Sequence, residues 1–176
     1  MQRFFALILA GSALMAHAQS FVCGKPDTTN TGAVQLTSAS VYTPATPGFD
    51  LNTAPAVKGG YCASGKPFFF SAALPEGSYR VTVSFGSTQP SATTVRAEAR
   101  RLMIEQVMIK PGKSVTRSFD VNLRVPQIAG DPNHQVKLKP REIGSLDWDE
   151  KLTLEFNGDH PSIHSIAIEP VHETTV

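Results

Sequence analysis

Along residues 79–85 the chain alternates without a break. Tyr79, Val81, Val83 and Phe85 are apolar, and Arg80, Thr82 and Ser84 between them are polar. A period of two is that of a half-buried β-strand, because successive side chains leave opposite faces. The pattern returns through Val115, Arg117, Phe119, Val121, Leu123 and Val125, interrupted only at Arg117. It returns again through Leu152, Leu154 and Phe156, which turns Thr153 and Glu155 to water, and Ile166 and Ile168 close the series. Weaker patterns predict strands at Phe21–Cys23, Val34–Leu36, Pro67–Leu74, Thr93–Ala99, Met103–Ile109 and Val136–Lys139. Residues 25–60, rich in Thr, Asn, Gly, Pro and Ala, read as loop with two short strands.

The punctuation is turn chemistry. Pro75-Glu76-Gly77, Lys110-Pro111-Gly112-Lys113, Ala129-Gly130-Asp131-Pro132 and Asn157-Gly158-Asp159 all suit tight connections. Residues 97–107 hold good helix formers. Their alternation nevertheless changes phase at Arg100-Arg101, which predicts two strands with a bulge or tight bend there. Many short strands with turns at this spacing make an all-β, two-sheet antiparallel sandwich or jelly roll. In such a fold the run Phe68-Phe69-Phe70 needs cover on both faces. Its strand is therefore central or lies at a contact with another domain.

The N-terminus departs from this pattern. Arg3 precedes an apolar run from Phe4 to Ala16 that ends in Ala16-His17-Ala18. These are the parts of a signal peptide over residues 1–18, cut after Ala18, and the run is shorter than the ~20 residues of a membrane span. The expected product is one domain over residues 19–176, periplasmic or secreted, with no membrane attachment after cleavage. The chain has 16 Lys and Arg against 15 Asp and Glu, and losing Arg3 balances them. A balanced chain has no electrostatic bias toward nucleic acid. In an oxidising compartment Cys23 and Cys62 can form a disulfide between the first strand and the segment before Phe68; the other reading is two buried thiols.

Chemistry-bearing residues are sparse. No serine stands in a G-x-S-x-G elbow. Asp131-Pro132-Asn133-His134 spells an acid–base pair, but in a Pro/Gly turn with no nucleophile motif before it. His160, His164 and His172 read as surface histidines rather than a metal site, because Pro161 and the Asn157-Gly158 turn interrupt their spacing. The acids around Trp148 lack a calcium-loop spacing. No catalytic, metal or cofactor residue is assigned. The only tryptophan, Trp148 in Asp147-Trp148-Asp149-Glu150, is a candidate platform for a sugar ring, with Arg141 and Glu142 beside it in sequence; alternatively it caps the core.

Five blocks carry a family resemblance: GKPFFFSAALPEGSYRVTVSFG (Gly65–Gly86), TTVRAEARRLMIEQV (Thr93–Val107), TRSFDVNLRVP (Thr116–Pro126), KLKPREIGSLDWDEKLTLEFNG (Lys137–Gly158) and IHSIAIEPV (Ile163–Val171). They resemble the N-terminal sandwich domain of bacterial rhamnogalacturonan acetylesterases, over Gly65–Val176 and only weakly over 21–60. The resemblance implies a galactose-binding-like jelly roll ahead of an SGNH (GDSL-type) hydrolase domain, whose Gly-Asp-Ser block would follow the stretch matching Glu173–Val176. That block is absent here, so no family catalytic residue maps onto this chain, and Asp131 and His134 are not the family's acid–base pair. The expectation is a non-catalytic accessory domain of a secreted pectin acetylesterase-like enzyme, partnered by a downstream catalytic domain and by plant cell-wall polysaccharide. The alternatives are a free-standing carbohydrate-binding module and a structural or adhesion domain exposing an apolar patch around Phe68–Phe70.

Overall fold

The computed structural model describes residues 17–25, 32–128 and 130–171, and among these no helix forms. The first strands are β1 (Gln19–Cys23), β2 (Val34–Leu36), β3 (Gly48–Asp50), β4 (Ala56–Lys58), β5 (Tyr61–Ala63), β6 (Phe68–Ala73) and β7 (Gly77–Gly86). They are followed by β8 (Ser91–Ala97), β9 (Arg101–Ile109), β10 (Ser114–Leu123), β11 (Gln127–Ile128), β12 (Asp131–Gln135), β13 (Lys151–Asp159) and β14 (Ser162–Pro170). One sheet runs β10-β7-β14-β1-β2, with the β4–β5 hairpin added where β5 pairs with β14. The facing sheet runs β3-β6-β13-β8-β9, and β11 and β12 form a separate two-stranded ribbon. The connections β6–β7, β7–β8, β9–β10 and β13–β14 each cross from one sheet to the other, as in a jelly roll. The molecule is a β-sandwich.

Alternation explains why these segments pack. Tyr79, Val81, Val83 and Phe85 of one sheet face Phe68, Phe70, Leu152, Leu154 and Phe156 of the other, and all are buried. Full burial of such side chains stabilises the fold by roughly 1.5–3 kcal/mol each. Aromatic rings pack both across and within the layers: Phe21 of one sheet meets Phe70 of the other edge-on at 4.9 Å, and within the five-stranded sheet Phe68 stacks on its neighbour Phe156 at 5.0 Å. Strand β6 is internal, between β3 and β13. Phe68 and Phe70 point into the core, so no apolar patch opens around them, and Phe69 is half-buried on the outer face.

The Cys23–Cys62 disulfide forms, with its Cα atoms 5.5 Å apart. Its place in the sheet explains the pairing. β1 and β5 lie one after the other along the same edge of β14, and the bridge joins them. The bend at Arg100-Arg101 is a hairpin turn over 98–100, with Glu98 and Arg100 at positive φ.

Several expectations are corrected. Val136–Lys139 is not a strand; the neighbouring strand is β12, inside the segment read as a Pro/Gly turn, because Gln127 and Ile128 pair with it. Asn157-Gly158-Asp159 is not a turn but the end of β13; the chain turns at His160, which has φ 49°. Gly158 permits this, because a side chain there would collide with the Ala92 carbonyl of the paired strand. Thr153 and Glu155 do not face water: Thr153 is buried, and Glu155 is half-buried and ion-paired to Arg96. Region 32–60 holds three short strands rather than two, and β5 follows them. The sandwich is antiparallel except that β1 pairs with β2 in parallel. Residues 1–16 of the expected signal peptide lie outside the described residues, as does His172.

Candidate functional site

Strand β13 runs antiparallel to both β6 and β8. Its first residues therefore lie at the end of the sandwich where β6 and β8 finish. The loop before β13, the turn after β6, the turn after β8 and residues 42–47 gather there. Between them is an open groove of about 670 Å³, lined by Tyr42, Pro44, Leu74, Pro75, Asp149 and Lys151 among others. A second recess of about 310 Å³ shares Pro44, Ala73, Leu74 and Pro75 and reaches Gln19.

The polar side of the groove is tightly organised. Lys151 Nζ donates to Asp50 Oδ2 at 2.9 Å and lies 5.1 Å from the centre of the Tyr42 ring. Asp50 also accepts from the Ser71 hydroxyl and from the Leu51 N–H. Burial opposes the Asp50 charge, but these donors outweigh it and hold the carboxyl below its ordinary range. Burial likewise opposes the Lys151 charge, and Asp50 outweighs it, so the ammonium is held above its ordinary range. Burial raises Asp149, although its carboxylate accepts the Lys151 N–H, and burial also raises the Tyr42 phenol. The groove thus offers an aromatic ring, apolar walls and groups of both charges.

Trp148 stands on the other side of the same loop. It adopts φ 68°, a conformation unusual for a bulky residue. With Glu98, Arg101, Asn122, Arg124 and Asp147 it lines a small cleft of about 50 Å³. Arg141 and Glu142 do not line that cleft. Arg141 is exposed, and Glu142 closes a local turn, its carboxylate accepting the Lys139 N–H and its carbonyl accepting the Ser145 hydroxyl. The arginines beside Trp148 come from β9 and from the residue after β10, far away in sequence.

Glu98 was legible only as a helix former, yet it is 6% exposed. Its main chain extends the β8–β13 ladder by one bond, from the Glu98 N–H to the Thr153 carbonyl. The chain then turns away, which would leave the Thr153 N–H without a backbone acceptor. The Glu98 carboxyl takes that place at 3.0 Å. Burial pushes this carboxyl up to about 8 despite that bond.

Asp131 and His134 hydrogen-bond to each other at 2.7 Å on the exposed ribbon. His164 is half-buried rather than a free surface histidine: its Nδ1 bonds to the Gly60 carbonyl and its ring meets Tyr61 edge-on. His160 remains exposed. Among the described residues no three His, Cys, Asp or Glu side chains converge as a metal site.

No protein-family model matches the chain, and no curated protein is similar to it. Its likeness lies in structure. Protein YXIM of Bacillus subtilis superposes on 91% of the chain at TM-score 0.53 and 16% identity, and 42% of YXIM is covered. β-Glucuronidase 2 of Bacteroides uniformis superposes on 88% of the chain at TM-score 0.56 and 8% identity, with 18% of the enzyme covered. A looser likeness, TM-score 0.32 at 16% identity over 58% of this chain and 69% of the other, is to a family 35 carbohydrate-binding module of Clostridium thermocellum. The chain therefore spans less than half the length of YXIM and of the glucuronidase, and what it shares with them is the sandwich fold.

Proposed function

We propose that this chain is a carbohydrate-binding β-sandwich domain. The observation that carries the reading is the groove at the β13 end. Sugars have apolar C–H faces and hydroxylated rims. Tyr42, Pro44, Leu74 and Pro75 suit the faces, and Lys151, Asp149 and Glu150 suit the rims. One sandwich neighbour supports the reading at the level of fold, since it belongs to an enzyme named as a glucuronidase. The disulfide is consistent with an extracellular or secreted setting, and the signal-peptide pattern of residues 1–18 supports export. Calorimetric titration with pectic oligosaccharides is expected to show saturable binding that Tyr42→Ala weakens at least about tenfold, the size of an aromatic hot spot. No heat with any oligosaccharide would sink the reading.

A second reading keeps the resemblance over Gly65–Val176: an accessory domain of a rhamnogalacturonan acetylesterase-like SGNH hydrolase. One observation favours it. β14 ends at Pro170 at the groove end, and the Val171 N–H bonds to the Ser78 carbonyl, so a catalytic domain that followed would sit beside the groove. On this reading the chain alone does not hydrolyse p-nitrophenyl acetate or acetylated pectin. Turnover lost in Asp131→Ala or His134→Ala would overturn it.

A further inference from the structure

The two sheet paths end in four strands, and their edges differ. β2 and β3 are each three residues long. β9 is longer, but register shifts against β8 break its line, and Arg101 and Glu105 stand exposed on it. β10 is long and regular. It runs ten residues without proline, and its pairing with β7 is unbroken from Ser114 to Leu123. Such an edge is a template for another strand, because its outward N–H and C=O groups have no partner. Among the described residues no strand pairs with the far side of β10.

Which groups face outward follows from the hydrogen bonds of β7. In an antiparallel ladder the N–H and C=O of one residue turn to the same neighbour, and the next residue turns to the other. The Ser78 carbonyl accepts the Val171 N–H just beyond β14, and the Gly86 carbonyl accepts the Ser162 hydroxyl of β14. Ser78 and Gly86 thus face β14, and so do the alternate residues between them. Their partners on β10 are Ser114, Thr116, Ser118, Asp120 and Asn122, whose main-chain groups therefore turn to the open edge. Arg117 folds back onto that edge. Its guanidinium donates to the Thr116 carbonyl at 2.9 Å, one of the acceptors an added strand would need. The side chain is exposed, and among the described residues no carboxylate oxygen lies within 4 Å of it.

Arg117 is also the one charge in the inward row of this strand. Val115, Phe119, Val121 and Leu123 in the same row belong to the core or pack against it. Apart from the arginine, the strand suits a second copy of itself. Antiparallel pairing centred on Ser118 sets Thr116 opposite Asp120, Ser114 opposite Asn122 and Val115 opposite Val121, with no like charges opposed. The same register sets Arg117 opposite Phe119 and brings the two guanidinium groups to diagonal positions on one face, within reach of each other.

We infer that Arg117 guards the β10 edge and keeps two copies of this chain from joining through it. A second strand has to displace the guanidinium from the Thr116 carbonyl and enclose it near its own counterpart. The role is independent of what the groove binds.

The test is analytical sedimentation of the full chain from about 1 μM to about 1 mM, the range in which unpaired strand edges associate. The wild type and Arg117→Lys should stay monomeric. Arg117→Val should shift to the mass of a dimer. The Thr116, Ser118 and Asp120 amides should exchange freely in the wild type and become protected in that dimer. Adding Ser118→Pro to Arg117→Val should restore the monomer. Proline there removes an edge-facing N–H and an exposed contact to Thr82, and it leaves the β7 ladder intact. Circular dichroism checks that each variant folds; should Arg117→Val not fold, Arg117→Thr carries the same expectation. An Arg117→Val chain that stays monomeric would overturn the inference. So would a dimer that survives Ser118→Pro, or a wild-type chain already paired through β10.

Discussion

The two sheets present outer faces of similar composition that live in opposite environments. On the seven-stranded sheet, cross-strand polar pairs stand in water: Arg80 with Asp120, Thr82 with Ser118, Ser84 with Thr116. The side chains of Arg80 and Asp120 are each 54% exposed. On the five-stranded sheet a comparable set is enclosed. Ser71 bonds to Thr153 and to Asp50, and Asp50 holds Lys151, whose side chain is only 20% exposed. Both faces follow the same alternation. They differ because Tyr42 and the β3 region lie against one, and the β8 turn tucks Glu98 beside Thr153, while among the described residues the outer polar pairs of β7 and β10 stay exposed. Enclosure strengthens a polar contact and also makes its loss costly. Carboxyls raised by burial, Glu98 and Asp149, lie on or beside the enclosed face, next to the groove and the cleft, whereas Asp120 on the open face is shifted only downward, by its hydrogen bond from Arg80.

The largest test of this contrast is the pH dependence of stability. Glu98 titrates near 4.5 when unfolded and near 8 when folded, so between those values the native state binds the extra proton. Stability then falls as pH rises from about 4.5 to about 8, by on the order of 4 kcal/mol from this group alone. Urea unfolding midpoints measured across that window should show the loss, and Glu98→Gln should flatten it; an equally flat wild-type profile would place Glu98 in water. Asp50 acts with the opposite sign, since its carboxyl is held low. Its contribution is present above its unfolded value of 3.8 and fades as pH falls through the lower native value.

Next in size is Asp50→Ala, which strands the Lys151 ammonium and the Ser71 hydroxyl on the enclosed face. A cost of about 2–3 kcal/mol is expected in denaturant unfolding, because removing one partner of an enclosed pair leaves the other uncompensated. Thr153→Val keeps the shape and removes one hydroxyl of the same network. About 1–2 kcal/mol is expected in the same assay, with Ser71 left one partner short. Arg80→Ala marks the opposite end of the scale: an exposed pair, expected to leave the melting temperature within error of wild type. Should Arg80→Ala destabilise as much as Asp50→Ala, the two faces would not differ as described.

Much of the sandwich was legible in advance. β7, β10, β13 and β14 announce themselves because their inner residues are large and apolar and their outer ones are not, and the phase change at Arg100-Arg101 marks the β8–β9 hairpin. The short strands β3, β4 and β5 were illegible, since three residues hold too little pattern to outweigh their Gly, Pro and Thr neighbours. Strand β12 was hidden by Gly130 and Pro132, whose turn preference yields to pairing with β11. Of the site, Trp148 and Asp149 drew notice as an aromatic among acids. Their working neighbours did not: Tyr42 and Lys151 are more than a hundred residues apart, and only the β3-β6-β13 order brings them together.

What the sequence determined by itself is therefore the inside of the protein: which residues line each strand's inner face, that the strands close over them as a sandwich, and that Cys23 and Cys62 are available to bridge. Period and apolarity are local properties and can be read locally. Tertiary structure alone decided which polar residues are enclosed. The alternation that points Thr153 and Arg80 outward is the same, and burial depends on what the rest of the chain lays over each one. Glu98 is the sharpest instance. Its composition says surface helix former, while its position, where β8 leaves β13, makes it the buried acceptor for a backbone N–H that the turning chain could no longer satisfy.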